Sequence, residues 1–384
     1  MKRLACVLFA GFSILLLAGC QTEGSTQKPL TGIDPCFMEE LGYYNESPSV
    51  IRTGNRQYMF YTRNAVINDN TTDTIAVRSA VWQNETWAWS APKTVLSATG
   101  EGWDGASVFG ADVIAGEFLY GGKTYSYLMA YAGSEKSNRS NAQIGFAVSN
   151  EIDGEYVRVG NTPVVAFDKT EQTPVGLTNY KGVNEPSLVS YDTRGRLTLF
   201  YSFYGRFECT YAVEMDCSDL GAIVRGGRRM VNTGGLADGT ENTTLYAGDF
   251  AYDPDEDAYV VCRNYGGTVS GLPAVSEAVQ AVIAPADALF EVARSDVWSL
   301  YSDRQRRISA IHTSIEDPED MSRADGYKRI YNGCVASDEY GYTVSSRRAD
   351  IYFTSSAIFG DDGLLGDDYL YTPMIHEFSI ERWS

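Results

Sequence analysis

Three carboxylates stand at the beginnings of segments that read as β-strands, far apart in the chain. Glu185 precedes Pro186 in "NEPSLVSYD", Asp112 lies in "FGADVI", and Glu46 comes directly before "SPSVIRT". A protonated carboxyl beside an ionised carboxylate can perform general acid and base catalysis, and neighbouring negative charges raise the pKa of one of the acids. The three acids can act together only if the fold brings these strand starts to one place.

The strand starts belong to a unit that recurs along the chain. In each copy an apolar strand, a turn of Gly, Asp or Asn, and a second strand ending in aromatic and hydroxyl residues follow one another. The copies span 47–62, 110–133, 185–202, 248–264 and 349–356, the last with 333–344 as its candidate first strand. Third strands are predicted at 144–159 and 307–321. Five such units of about four strands predict an all-β fold, a five-bladed β-propeller, because a β-sandwich does not require a recurring unit.

Two segments differ from this repeat. Residues 275–303 are rich in Ala, and their apolar residues have loosely helical spacing, which predicts a partly helical insertion in the fourth blade. Residues 369–383 alternate like a strand and are expected to complete the last blade.

Around these strand starts the chain resembles the five-bladed propeller glycoside hydrolases of the family 43 type, which include arabinanases and xylosidases. The resemblance covers most of the chain beyond its first segment, through short motifs. In that family the first three blades supply an Asp base, an Asp that orients and tunes the acid, and a Glu general acid. The resemblance implies that Glu185 is the acid and Asp112 its tuner in the hydrolysis of a polysaccharide or its oligosaccharides.

The base position departs from the family pattern. Family members read Asp-Pro-Ser, whereas this chain reads Ser47-Pro48-Ser49. Either Glu46 acts as the base, or Asp34 of "IDPCF" does, or the chain has no base. The last possibility gives the alternative function, a surface propeller that binds glycans without cutting them. A structural or protein-binding propeller is the third hypothesis.

Further residues are candidates for substrate binding. Trp103 and Asp104, in the Gly-rich "GEGWDGAS", could form a stacking wall for a sugar ring beside a hydrogen-bond acceptor. Tyr180 and Asn184 flank the proposed acid, and Asp249 begins the fourth unit.

The sequence gives little support for a cofactor. Only two histidines are present, His312 and His376, which argues against a histidine-rich metal site or a Ser–His triad. No cofactor is expected to be required, although the acidic loops permit calcium in the axial channel, where the resembled family holds it. The segment 337–343, "SDEYGYT", is a degenerate copy of the Asp-box of sialidases and is interpreted as a structural hairpin.

The N-terminus has the features of an export signal. Residues 1–19 combine Lys2 and Arg3 with an apolar stretch from 4 to 17, as in a secretory signal peptide. The ending Leu-Ala-Gly before Cys20 resembles a bacterial lipobox, which implies that Cys20 is lipidated and becomes the mature N-terminus. Residues 20–32 are then a polar tether and 33–384 the propeller domain. Gln21 after the cysteine favours an outer membrane, in a host that has one.

Charge limits the partners of the exported domain. The chain of 384 residues carries 31 basic and 50 acidic residues, a formal net charge of −19. Such a charge argues against binding nucleic acid or anionic lipid. Membrane contact is therefore expected only through the lipid anchor, on an otherwise monomeric protein whose partner is a carbohydrate.

The cysteines permit two disulfides. An exported protein meets an oxidising compartment, where cysteines can pair. Cys209–Cys217 is predicted as a short staple, and Cys36–Cys334 as a clasp between the two ends of the domain. Cys262 alternates like a strand residue and is interpreted as a buried free thiol. No CxxC spacing is present, which argues against zinc.

Overall fold

The computed structural model describes most of the chain between residues 45 and 381. The described residues are 45–67, 70–84, 86–168, 181–204, 208–231, 247–265, 278–290, 299–300, 327–357 and 374–381. The regular elements within these ranges are all β-strands. In this part of the chain no helix is long and apolar enough to cross a membrane.

The described strands form four sheets, and in the first of these a single parallel bridge between Asp73 and Ser107 joins two antiparallel units, so five antiparallel units follow one another in the described part of the chain. The first contains β1 (Asn45–Thr53), β2 (Arg56–Ile67), β3 (Asn70–Gln83), β4 (Thr86–Trp89) and β5 (Lys93–Ser97). The second contains β6 (Ser107–Tyr120), β7 (Lys123–Ser134), β8 (Gln143–Ser149) and β9 (Val157–Arg158). The third contains β10 (Gly182–Ser190), β11 (Arg196–Tyr204), β12 (Glu208–Asp216), β13 (Val224–Arg225) and β14 (Arg229–Met230). The fourth contains β15 (Asp249–Asp253), β16 (Ala258–Tyr265), β17 (Ala278–Pro285) and β18 (Ser299–Leu300), and the fifth β19 (Tyr327–Val335), β20 (Arg348–Ala357) and β21 (Met374–Glu381).

Apolar residues hold the units together and then join them face to face. Within the third unit, Leu188 pairs with Leu199 and Leu199 with Val213, and all three are buried. Between the third and fourth units, Phe200 stacks on Phe250 with ring centroids 4.0 Å apart. Consecutive antiparallel sheets packed in this way around an axis are the arrangement of a β-propeller.

Of the two segments that differ from the repeat, one has a structure other than the predicted one and the other has the predicted strand. Residues 278–285 are not helical but form strand β17, which pairs with β16 along its whole length. Val279, Ala281 and Ile283 alternate into the core, so buried residues recur every second position, as in a strand. The prediction of helix for residues 278–285 was therefore wrong. The rest of the proposed insertion lies outside the described residues, apart from 286–290 and 299–300. The C-terminal strand is present as β21 and completes the fifth unit.

The first strand of every unit carries the same backbone feature, within the strand in four units and two residues before it in the fourth unit. Five residues at equivalent positions have positive φ angles between 46° and 51°, namely Ser47, Gly110, Glu185, Ala247 and Asn332. In four units the strand pairing shifts register at this point, as in a β-bulge. A bulge re-aims the side chain that it carries. These five positions therefore present their side chains differently from an ordinary strand residue.

A hairpin of the fifth unit ties the other ends of these strands together. Carbonyl oxygens of the hairpin accept one backbone N–H from the first strand of each of the other four units. The donors are Arg52, Ala115, Ser190 and Tyr252, at N···O distances between 2.6 and 3.0 Å. The hairpin is the segment 337–343 that was interpreted as structural, and its turn is closed by N–H groups of Tyr340 and Tyr342 on Asp338.

The predicted disulfide between Cys209 and Cys217 does not fit the structure. Cys209 lies in β12 and Cys217 directly follows that strand, so eight extended residues hold their Cα atoms about 26 Å apart. A disulfide requires about 4.4–6.8 Å. The pairing of Cys334 with Cys36 stays a prediction, because Cys36 lies outside the described residues; Cys334 itself is buried beside Met59 and Tyr61. The prediction of a free, buried Cys262 is confirmed.

Candidate active site

A cavity lies on the axis where the first strands of the five units meet. Its polar lining is Ser47, Ser49, Asp112, Glu185, Asp249 and Asn332. Two of the predicted acids, Glu185 and Asp112, therefore share one cavity although 73 residues separate them in sequence. Asp249, predicted as a substrate-binding residue, lines the same cavity.

Glu185 reaches across the axis from the third unit to the second and fifth. Its Oε1 accepts a hydrogen bond of 3.3 Å from Nδ2 of Asn332. Its Oε2 lies beside Gly110, where a Cβ atom would come within 3.2 Å. Burial, followed by the negative charge of Glu46, raises the pKa of Glu185 to about 7, against the opposing charges of Arg139 and Lys181. The carboxyl can therefore hold a proton near neutral pH, as a general acid must.

Asp112 accepts three hydrogen bonds from the protein. Its donors are the Ser49 hydroxyl at 2.6 Å, the Leu188 N–H at 2.6 Å and the Val113 N–H at 2.9 Å. Burial raises the pKa of Asp112 to about 6, although all three hydrogen bonds act in the opposite direction. The side chain thus links the first three units and places a second carboxyl in the cavity.

Asp249, in the fourth unit, joins the third and fifth units in the way that Asp112, in the second unit, joins the first and third. It accepts hydrogen bonds from the Ser187 hydroxyl at 2.9 Å and from the Val335 N–H at 2.8 Å. Burial, followed by the charge of Asp112, raises the pKa of Asp249 to about 7. Because the two residues have the same pattern of partners, Asp249 is better described as a joint between units than as a surface contact for substrate.

Glu46 is held by an ion pair beside the cavity. It pairs with Arg139, which also binds Asp73 at 2.6 Å, and its Oε2 lies 3.4 Å from the Tyr331 hydroxyl. The cavity wall at this point is formed by Ser47, whose hydroxyl accepts a hydrogen bond of 2.8 Å from Asn332. Glu46 therefore lies close enough to influence Glu185 electrostatically, but its oxygens already have protein partners. Asp34, the other candidate base, lies outside the described residues.

Trp103 and Asp104 have structural contacts in place of the sugar wall that was predicted. The Trp103 ring stacks on Tyr131, with centroids 5.6 Å apart, and fills space above Gly145. Asp104 is buried and binds the Tyr131 hydroxyl at 2.9 Å and Arg158 Nε at 2.7 Å. Because protein groups occupy the ring face and the carboxylate, these contacts do not support the assignment of either residue to substrate binding.

Of the two residues predicted to flank the acid, the described structure contains Asn184. Asn184 is buried, and its Oδ1 has no hydrogen-bond partner within the described structure. A buried amide oxygen without a partner is uncommon, so Asn184 stays a candidate for substrate binding. Tyr180 lies outside the described residues, as do Cys20, Cys36 and His312.

The described cavity does not fit a calcium ion. No group of three or more His, Cys, Asp or Glu side chains is arranged to hold a metal in the parts of the chain that are described. The oxygens of Asp112 and Asp249 accept hydrogen bonds from protein N–H and O–H groups, whereas calcium requires six to eight oxygen ligands.

The structure adds residues that the sequence did not single out. Asn332 contacts both Ser47 and Glu185, Gly110 leaves space beside the acid, and Arg139 neutralises Glu46. Alignment of the repeat would have found Asn332, because "YNGC" matches "NEPS" at the strand start. Arg139 lies in the connection between β7 and β8, which has no counterpart in the repeat.

Comparison with known proteins places the fold in a class. No protein family and no curated protein matches the sequence. A solved structure described as a glycoside hydrolase matches with a TM-score of 0.52 and 11% identity, over 89% of this chain and 88% of that one. An α-L-arabinofuranosidase from Podospora anserina, in complex with cellotriose, matches with a TM-score of 0.50 and 10% identity over 91% and 95%.

A third match is a family 117 glycoside hydrolase from the marine bacterium Zobellia galactanivorans. Its TM-score is 0.50 and its identity 12%, over 89% of this chain and 87% of that chain. At such identities the likeness shows the fold. The chain is an all-β propeller with the fold of these glycoside hydrolases. The propeller fold predicted from the sequence, and the resemblance to propeller glycoside hydrolases as far as fold is concerned, are confirmed.

The buried acids predict that stability falls as pH rises. Unfolded Asp titrates near pH 4, whereas Asp112 titrates near 6 and Asp249 near 7 in the folded protein, so the folded state binds more protons between these values. The stabilisation is complete below about pH 4 and is lost as pH rises to about 7. For Asp112 alone it amounts to about 3 kcal/mol at most. Urea unfolding measured from pH 4 to 8 should show this decline.

Asp112→Asn is the matched control for the pH profile. The amide does not titrate, so the variant should have a flatter pH dependence whatever its absolute stability. The slope difference from the wild type isolates Asp112 from the general repulsion of a chain with net charge −19. Equal slopes for the two proteins would contradict the assignment.

Proposed function

We propose that the protein is a glycoside hydrolase that acts on a polysaccharide or its oligosaccharides by acid and base catalysis. The observation that supports this most is the shared axial cavity, in which Glu185 has a raised pKa beside a second carboxyl, Asp112. Glu185 protonates the departing glycosidic oxygen, and Asp112 fixes the surrounding strands and the local charge. Hydrolysis also needs a carboxylate that activates water, about 6.5–9.5 Å from the acid in inverting enzymes.

Glu46 is the proposed base. It pairs with the guanidinium of Arg139, and its charge acts on Glu185. Arg139 contacts Oε1 of Glu46 and the Tyr331 hydroxyl lies 3.4 Å from Oε2, so a catalytic water molecule must share one of these oxygens with a protein donor.

One observation favours a second function, glycan binding without cleavage. At the place where the family pattern has the base, Ser47 lines the cavity, and a hydroxyl cannot act as a carboxylate base at neutral pH. The cavity would then recognise a sugar through Ser47, Asn332 and the acids.

A screen of the domain 33–384 separates these functions. Aryl glycosides, beginning with α-L-arabinofuranosides because one structural neighbour is an arabinofuranosidase, and a panel of plant and algal polysaccharides should be tested for both binding and product release. Product release supports the hydrolase, and binding without release supports the glycan-binding propeller. If neither binding nor release occurs, both proposals fail.

We also propose that Cys20 anchors the protein to a bacterial membrane, which is the outer membrane in a host that has one. Acyl chains on Cys20 would supply the anchor, and residues 21–32 the tether. Cys20→Ser should move most of the protein from the membrane pellet to the soluble fraction. Cys6→Ser, which changes a cysteine inside the signal segment, should leave the distribution unchanged. An unchanged distribution of Cys20→Ser would overturn the anchor.

A further inference from the structure

The orientation of two amides beside the cavity can be read from a backbone donor. The backbone N–H of Asn332 donates to Oδ1 of Asn264, at 2.7 Å. A backbone N–H can only donate, so the atom of Asn264 that faces it must be the oxygen. The side chain of Asn264 therefore directs its nitrogen, Nδ2, towards Oδ1 of Asn332, at 3.2 Å.

This contact fixes the second amide in turn. Because Oδ1 of Asn332 accepts from Asn264, the Nδ2 group of Asn332 must face the cavity. Its two hydrogens have two acceptors there, the Ser47 hydroxyl at 2.8 Å and Oε1 of Glu185 at 3.3 Å. Both amides are buried or partly buried between the fourth and fifth units, where a reversed amide would place like groups against each other.

The protonated form of Glu185 has two unlike oxygens. A neutral carboxyl has one carbonyl oxygen, which accepts, and one hydroxyl oxygen, which carries the proton. The oxygen that accepts from Asn332 is Oε1, so it takes the part of the carbonyl. Oε2 lies beside Gly110, which also lines the cavity and where a Cβ atom would come within 3.2 Å of this oxygen.

We propose that Asn264 and Asn332 form a relay of hydrogen bonds that places the proton of Glu185 on Oε2 and directs it into the cavity. The inference deepens the proposed function, on which its catalytic consequence rests. In the reaction the Oε2–H bond breaks as the proton passes to the glycosidic oxygen, and the electron pair of the breaking C–O bond stays on that oxygen. A water oxygen bonds to the anomeric carbon in its place and gives a proton to the base proposed above, Glu46. Asn332 is a positioning residue, since it acts through Glu185.

Infrared spectroscopy tests the relay without any activity. In a difference spectrum near pH 5, the C=O stretch of protonated Glu185 is identified as the band that Glu185→Gln removes. Asn332→Gly keeps the positive φ but removes the donor, so this band should move to higher wavenumber. The matched control is Ala247→Gly, which alters the equivalent position of the fourth unit and should leave the band in place. A band that is unchanged in Asn332→Gly would overturn the relay.

Kinetics tests the catalytic consequence. Phenyl and dinitrophenyl glycosides of the hydrolysed sugar, α-L-arabinofuranose being the first tested, differ in how much they need an acid. Misplacing a reacting group can cost on the order of 10²-fold, so Asn332→Asp and Asn264→Asp should slow phenyl glycoside hydrolysis by about that factor. The dinitrophenyl glycoside should be nearly unaffected. Equal losses on both substrates would indicate a merely structural role and contradict the positioning role.

The two tests keep the two proposals distinct. If the wild type cleaves no glycoside, the proposed function fails, while the infrared band still decides the relay. If Glu185→Gln abolishes cleavage but the amide variants keep full activity on the phenyl glycoside, the relay fails and the hydrolase stands.

Discussion

Glu185→Gln should lower the rate of hydrolysis of a substrate with a poor leaving group by about 10²–10⁴-fold, the usual contribution of a general acid. The amide preserves the size of the side chain and can still accept from Asn332 through its oxygen, but it has no acidic proton to deliver. Substrate affinity and the urea midpoint should therefore change little. Turnover of an aryl glycoside series, with binding measured by calorimetry, checks the prediction.

The pH profile gives the same experiment a second readout. Glu185 has a pKa of about 7 and must be protonated to act, so wild-type activity should fall as pH rises through this value. This alkaline limb should be absent from the residual activity of the variant. Glu117→Gln changes an exposed carboxylate outside the cavity lining and serves as the control, with wild-type activity expected. Full activity of Glu185→Gln would refute the role of Glu185.

The parts of the site that sequence could predict are those tied to the repeat. Asp112 and Glu185 were found because each stands at a recognisable strand start, and a propeller brings all such starts to one axis. Asp249 was found for the same reason, but its role in joining units depends on contacts with Ser187 and Val335, which are distant in sequence. Asp249 is equivalent to Asp112 because each carboxylate accepts a backbone N–H from the following unit, that of Val335 for Asp249 and that of Leu188 for Asp112.

Other features depend on contacts that leave no local signal. Trp103 was read as a sugar platform because a loop tryptophan in a Gly-rich segment looks exposed, yet its ring fits over Gly145 in a neighbouring strand. Cys209 and Cys217 were paired on sequence distance alone, which fails when the residues between them form one extended strand. Asn332 lies one residue before the segment taken as the fifth first strand, so a small error in a boundary concealed it.

Arg139 shows how a residue outside the repeat can govern the site. Its guanidinium binds two buried carboxylates, Glu46 and Asp73, and lies over the Phe109 ring at 4.9 Å. Burial works against the charge of Arg139, but these carboxylates outweigh it and raise the pKa of Arg139 above its ordinary value. The charge of Arg139 in turn lowers the pKa of Glu185. The same side chain therefore supports both the fold and the proton affinity of the proposed acid.

Arg139→Met should destabilise the protein by about 3–5 kcal/mol, because it leaves two carboxylates buried without their cation. Urea unfolding at pH 8 measures the loss. Adding Glu46→Gln and Asp73→Asn to the variant should restore part of the stability, since neutral amides need no counter-charge.

The control for this loss is the exposed ion pair of Arg229 with Glu214. Both side chains are about half exposed, so Arg229→Met should cost at most about 1 kcal/mol. In an active enzyme, Arg139→Met should also move the alkaline limb of the pH profile upward, since the cation that lowers the pKa of Glu185 is gone. Two results would show that the buried ion pairs of Arg139 do not hold the first and second units together. One is a loss of stability for Arg139→Met no larger than that for Arg229→Met. The other is a loss that removing the charges of Glu46 and Asp73 fails to relieve.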